Sequence, residues 1–201
     1  MSPQEKFLAS MSIGYEQWHD GIGYDLEALD DIASPEKDEI VKMLSVRSPL
    51  TWRELEALAH IGTGEAQRAI LLAQEDPSPE VKIAAARYVA GNNPAKTAAL
   101  VDALQRSQFY GGLGRAIDLA AEYHPPAVVD TLFQGVLRRD GQAAVNFAAL
   151  LFYIYGLAEE PFDWDHRPFF LRFDEADPAM RAAAFQELCA RVGVPPERYL
   201  A

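Results

Sequence analysis

Apolar residues along this chain recur three and four positions apart. After Thr51 they form the stripe Leu55, Leu58, Ala59 and Gly62, and after Ser78 the stripe Val81, Ala84, Ala85, Tyr88 and Val89. That spacing gathers apolar side chains on one face of an α-helix. Runs of alternating β-branched residues between hairpin turns are missing, so strands are not expected. Helix starts are marked instead. Ser34-Pro35, Ser78-Pro79, Asn93-Pro94 and Asp177-Pro178 each set a capping side chain before a proline at the first helical position. There the cap oxygen satisfies a free amide, and the N–H that proline lacks costs nothing. Thr51-Trp52-Arg53-Glu54 has the spacing of a capping box.

The helices also repeat. Gly62-Thr-Gly-Glu-Ala66 precedes Ile70-Leu71-Leu72, and Gly91-Asn-Asn-Pro-Ala95 precedes Ala99-Leu100-Val101, about 29 residues later. His124-Pro125-Pro126-Ala127 followed by Val128, Val129, Leu132 and Phe133 makes a third copy, the extra length falling around Gly111-Gly112. The stretch Asp76-Pro77-Ser78-Pro79-Glu80-Val81 with its alanines is echoed by Asp177-Pro178-Ala179-Met180-Arg181 with Ala182 to Ala184. A period near thirty residues is one helix–turn–helix unit, which cannot bury its apolar side without a neighbour.

From Trp52 to Ser107 the chain resembles HEAT repeats of the short, phycobilisome-lyase type. The likeness lies in Ala57-Leu58-Ala59-His60-Ile61-Gly62 followed by Asp76-Pro77-x-Pro79-Glu80-Val81-Lys82-x-Ala84-Ala85. It continues loosely from Leu113 to about Gly156 and does not extend to residues 1–33 or 157–176. The resemblance implies an all-α fold, an α-solenoid of helical hairpins with the second helix of each pair on the concave side. The expected organisation is one domain over 1–201, with an N-terminal helical cap (1–50), repeats (51–156), and an aromatic loop with a C-terminal helical cap (157–201).

Composition narrows the function. Nearly half the residues are apolar (49%), enough for a continuous core. No apolar run approaches the roughly 18 residues of a membrane span. The opening Met-Ser-Pro-Gln-Glu-Lys has no basic stretch followed by an apolar one, so no secretory signal is expected. A single cysteine, Cys189, suits a reducing, cytoplasmic setting and is expected in a helix among apolar neighbours. The net charge of −12 argues against nucleic-acid and membrane partners, which call for a basic surface. The acidity gathers at the two ends, with residues 1–50 at −6, residues 151–201 at −4, and each intervening fifty at −1. Such ends suit electrostatic steering of a basic protein.

Two segments stand outside the repeats. Residues 13–25 crowd three glycines, two tyrosines, Trp18 and a His19-Asp20 pair into thirteen positions, reading as a shaped loop or broken helix. It either seals the first repeat, with Trp18 and Tyr24 inside, or contacts a partner. Residues 159–175 interleave four phenylalanines and Trp164 with acids, reading as a long non-helical excursion. Its phenylalanines are expected to be structural, while Asp163, Trp164 and Asp165 reach out. The candidate partner-binding set is therefore Trp18, Asp20, Tyr24, Asp25, Asp163, Trp164 and Asp165, the aromatics as anchors and the acids as steering charges.

Catalytic signatures are thin. The four histidines form no His-x-x-x-His or His-Glu element, and no phosphate loop, nucleophile elbow or Cys-x-x-Cys is present. A concave DNA-repair surface would need a basic groove, which Arg68, Lys82, Arg106, Arg115, Arg138 and Arg139 could supply only by clustering. No enzyme activity, metal or cofactor is expected. Small acidic all-helical proteins of this kind resemble immunity proteins paired with antibacterial toxins, and the chain also resembles bacterial HEAT-repeat proteins that carry the Trp-His-Asp-Gly and Pro-Phe-Asp-Trp segments. The resemblance implies a cytoplasmic, non-catalytic scaffold that neutralises a basic toxin or effector by binding it. Two alternatives are an adaptor or assembly factor for another complex, and a small-molecule enzyme centred on His19, Asp20 and Asp25.

Overall fold

The computed structural model describes residues 1–91 and 93–200, and every regular element among them is helical. The chain divides into two compact units, Met1–Gly91 and Asn92–Ala201. This boundary falls inside the stretch expected to carry the repeats, and the Gly91-Asn-Asn turn of the second repeat copy includes Asn92, which lies outside the described residues.

The first unit contains α1 (Pro3–Ser10), α2 (Tyr15–His19), α3 (Glu27–Asp30), α4 (Ser34–Ser45), α5 (Trp52–Ile61), α6 (Gly64–Ala73) and α7 (Pro79–Arg87). Helix α5 packs on α4, α6 and α7, while α6 touches α4 and α7, so each helix meets both its sequence neighbour and the next one along. Leu55 and Leu58 of the expected stripe are buried against Ile40, Val41, Leu44, Ile70 and Val81. Each such side chain contributes about 1.5–3 kcal/mol through burial. Phe7 on α1 and Leu29 on α3 extend the same core.

The caps follow the sequence with two exceptions. Thr51 and Glu54 form the expected capping box, Thr51 N–H donating to Glu54 Oε2 at 2.8 Å and Arg53 N–H to Thr51 Oγ1 at 3.3 Å. Asn93 Oδ1 accepts from Ala95 N–H and Asp177 Oδ1 from Ala179 N–H, each at 2.8 Å. Ser34, however, is already the first residue of α4, because the Glu36 carboxylate reaches back to the amide of Ala33 (3.3 Å) and moves the cap position to that residue. Ser78 caps α7 with its backbone alone. Asp76 Oδ1 accepts from Ser78 N–H at 2.8 Å and shapes the turn instead.

The second unit contains α8 (Pro94–Arg106), α9 (Leu113–Glu122), α10 (Pro126–Arg138), α11 (Gln142–Ile154), α12 (Arg167–Phe170) and α13 (Pro178–Val192). Helix α11 is its centre. Residues Ala143 to Phe152 are buried apart from Asn146, as expected for a helix that is apolar nearly all round. It packs on α9, α10, α12 and α13. The glycine cluster at 111–114 serves turn chemistry, with Gly112 at φ 101° letting α9 start directly after a 3₁₀ turn over Phe109–Gly111. Arg139 is consumed internally. Its Nη1 donates to Leu104 O (2.9 Å) and its Nη2 to Ser107 O (2.6 Å), satisfying carbonyls at the end of α8. Cys189 lies buried in α13, and burial pushes its thiol up to about 11.

Residues 159–175 are not the non-helical excursion that the sequence suggests. Residues 159–162 are bends and turns, but 164–174 fold as 3₁₀ turns over Trp164–His166 and Leu171–Asp174 flanking α12. Proline at the second position of α12 fits a helix start, and the spacing of Phe169, Phe170 and Phe173 turns all three into the core. Gly135 on α10 faces the Phe147 ring of α11. A methyl group there would stand 2.5 Å from Cδ2 and Cε2 of the fully buried Phe147 ring. Alanine favours a helix interior by roughly 1 kcal/mol over glycine. Here overpacking outweighs that gain, and Gly135→Ala is expected to lose about 1–3 kcal/mol in urea unfolding. A more stable variant would mean that Phe147 yields freely.

Candidate functional site

Residues 13–25 begin with α2, one turn long, whose start is closed by Gln17 Oε1 accepting from Gly14 N–H at 2.7 Å. Trp18 is 57% exposed on this turn, its ring 6.2 Å from that of Tyr15. His19 and Asp20 are both exposed and bond to each other, Nδ1 to Oδ1 at 3.0 Å. The next two candidates turn inward. Tyr24 is 8% exposed and sets its ring edge-to-face on Phe7 at 6.0 Å. Its hydroxyl donates to Glu54 Oε1, and burial together with that carboxylate holds the phenol well above the usual tyrosine range. Asp25 accepts from Ala28 N–H at 3.2 Å and pairs with Lys6 at 3.1 Å. The Lys6 ammonium, with the Ala28 amide, keeps its carboxyl below the ordinary carboxylate range. Tyr24 and Asp25 are therefore structural groups, while Trp18 and Asp20 remain available at the surface. The expectation that Trp18 could share an interior position with Tyr24 does not hold.

Beneath Trp18 runs a groove of about 420 Å³, between the Met11–Trp18 stretch and the start of α5. Ile13, Tyr15, Trp18 and Pro49 give it apolar walls, and Arg47 and Arg53 also line it. Its floor is Glu54, whose side chain is nearly inaccessible. Glu54 Oε2 accepts from Thr51 N–H and from Thr51 Oγ1 at 2.5 Å, and Oε1 lies 3.5 Å from Arg47 Nη1. None of Arg47, Arg53 and Glu54 stood out in the sequence. The capping box marked Glu54 as a helix-start residue, but nothing local showed that Tyr24, thirty residues earlier, would return to it.

The other candidate surface lies in the second unit. Asp163 Oδ1 accepts from Asp165 N–H at 2.9 Å and starts the Trp164–His166 turn. Trp164 is thereby held 70% exposed, one face approached by the Arg167 guanidinium at 5.4 Å from the ring centroid. Phe162 packs edge-on against Trp164 (5.8 Å) and against Phe170 (5.7 Å), tying the exposed indole to the core. A hollow of about 660 Å³ opens beside it, lined by Glu159, Glu160, Asp163, Trp164, Asp165 and His166. Its electrostatic character is negative, with four carboxylates and no lysine or arginine among the lining residues. His166 braces the hollow, its Nε2 lying 3.1 Å from Leu157 O and its ring edge-on to Phe152 at 5.4 Å. Glu159 and Glu160 were not singled out from sequence, although they adjoin the acidic-aromatic run.

The remaining histidines are committed locally. His60 Nε2 meets Asp30 Oδ1 at 2.7 Å, and His124 Nδ1 lies 3.0 Å from Ala120 O. Among the described residues, no three His, Cys, Asp or Glu side chains are grouped to hold a metal, and no helix is long and apolar enough to cross a membrane. The two surfaces are an exposed indole amid carboxylates in one unit and an aromatic groove over buried charge in the other. The chain matches no protein-family model, and comparison with curated proteins and with solved structures gave no match.

Proposed function

We propose that this protein is a non-catalytic binding scaffold of the HEAT-like solenoid kind, whose partner is a basic protein, with toxin or effector neutralisation as its role. The carrying observation is the hollow beside Trp164. An indole held largely exposed by a folded anchor, ringed by Glu159, Glu160, Asp163 and Asp165, has the composition of a docking point for lysine or arginine side chains. Arg167 already sits over this ring, so the indole accepts a guanidinium in the free protein. Helix pairing in each unit supports the solenoid reading, since α5 with α6 and α7, and α8 with α9 and α10, pack as neighbours and next neighbours. The net charge of −12 favours fast encounter with a cationic partner.

The test is capture from native lysate, followed by a salt series on the bound protein. Substituting Trp164 and Asp165 together with Trp18 and Asp20 is expected to weaken binding at least tenfold while helicity by circular dichroism stays unchanged, since all four are exposed. Wild-type affinity should fall steeply with salt, and the variant's less so. Unaltered affinity in the quadruple variant, or a partner that is acidic, would refute the assignment.

A further inference from the structure

We propose that the groove between residues 11–18 and the start of α5 binds a carboxylate carried on an apolar or aromatic body, with Arg53 as the group that receives it. This does not rest on the acidic hollow beside Trp164.

Arg53 is only 6% exposed, yet no carboxylate lies within 4.0 Å of it among the described residues. Its Nε–H donates to Ile22 O at 2.7 Å, and its guanidinium carbon stands 4.5 Å from the centre of the Trp52 ring. The other N–H donors, on the two Nη atoms, meet no acceptor among the described residues. Neither Nη atom is fully sealed, and Arg53 is among the residues that line the groove. Taking a guanidinium out of water without a counter-charge is costly, and a buried arginine is normally paired. The location sharpens the problem. Arg53 is the second residue of α5, and a cation at that end of a helix is disfavoured by the helix dipole.

Its neighbour Glu54 does not resolve this. Both Glu54 oxygens are already engaged, by the Tyr24 hydroxyl and by Thr51, and Arg47 stands at the Oε1 side. The groove thus carries two guanidinium groups against one occupied carboxylate, a surplus of one positive charge in a strongly acidic protein. A surplus of one suits a monoanion. With Nε spent on Ile22 O, the free donors of Arg53 are the paired Nη atoms, a planar set that matches a carboxylate in bidentate fashion. Ile13, Tyr15, Trp18 and Pro49 supply the apolar contact for the rest of the ligand. That body could belong to a free organic acid or to the carboxyl end of a peptide chain.

Sodium phenylacetate is the probe for the free acid. A short peptide ending in phenylalanine with a free carboxyl, and the same peptide amidated, probe the chain end. In wild-type protein, phenylacetate is expected to bind saturably by calorimetry at constant ionic strength and to shift the Arg53 Nε–H resonance. Arg53→Met should reduce affinity at least tenfold and Trp18→Ala several-fold, while Glu65→Gln, at an exposed position of α6 outside the groove lining, should leave it unchanged. Tighter binding of the free-carboxyl peptide than of phenylacetate, with none by its amide, assigns the site to a chain end; the reverse order assigns it to a small acid. Amide and acid binding equally, inorganic phosphate binding more tightly than phenylacetate, or no saturable binding by either carboxylate would each overturn the proposal. Should Arg53→Met fail to fold, the wild-type resonance decides: a saturating ligand that leaves Arg53 Nε–H unmoved refutes the role of that residue.

Discussion

Phe152→Ala is expected to destabilise the second unit by about 3–5 kcal/mol, the range for removing a fully buried aromatic ring. Phe152 sits on α11 with 1% of its surface exposed. Around it stand Phe170 at 5.2 Å, Phe169 at 5.3 Å and His166 at 5.4 Å, with the Arg191 guanidinium at 5.9 Å. Three of these four belong to the 159–175 segment, so the substitution empties the socket into which that segment is plugged. Urea unfolding should show the loss, and limited proteolysis should show cleavage appearing between residues 157 and 176 before the helices melt. Trp164→Ala, by contrast, removes a ring that is mostly in solvent and should cost less than about 1 kcal/mol. A Phe152→Ala loss of similar size to that of Trp164→Ala would mean the segment is held by something other than this aromatic cluster.

Glu54→Ala is the second large effect, about 2–4 kcal/mol, in the first unit. One carboxylate there receives the Tyr24 hydroxyl, the Thr51 amide and the Thr51 hydroxyl, with Arg47 alongside. Charged hydrogen bonds of this kind contribute about 1.5–3 kcal/mol, and a buried donor left without an acceptor costs about 1–3 kcal/mol. Tyr24→Phe removes only the phenol donor and should cost less, and the double variant should cost less than the sum, because the two side chains share one interaction. The pH dependence has a definite sign. The Tyr24 phenol is held above its ordinary value, so the native protein keeps this proton while the unfolded chain releases it near pH 10. Stability from this source is complete below that pH and declines as pH rises past it. Thermal melts from pH 9 upward should fall less steeply in Tyr24→Phe than in the wild type.

Much of the helical architecture can be read from local patterns. Thr51 with Glu54, Asn93 with Pro94, and Asp177 with Pro178 place three helix starts correctly, because a cap is an interaction among residues two or three apart. Ser34 misled because Glu36 competes for the same cap and moves it one residue back. The phenylalanines of 169–173 were recognisable as structural, but their helical form was not, since segments of three or four residues have no periodicity to detect.

The candidate sites divide along the same line. Trp164 and Asp165 lie in a short run whose composition already suggested a surface, and they are exposed. Tyr24 and Asp25 belong to an equally suggestive run and are committed to Glu54 and Lys6. A tyrosine beside an acid reads the same whether it anchors a partner or seals a core. The difference is made by Glu54, which lies thirty positions away.

Helix type, apolar face and overall acidity belong to the chain as a string, since they depend on neighbours within one or two turns and on a sum of charges. Which aromatics face outward, which carboxylates are spent on internal donors, and where an arginine is left without a counter-ion depend on groups brought together from distant positions. Arg53 shows the distinction most clearly. Between Trp52 and Glu54 it looks like any solvated helix residue, and only the packing of residues 13–23 over α5 leaves it 6% exposed with a single carbonyl on its Nε–H.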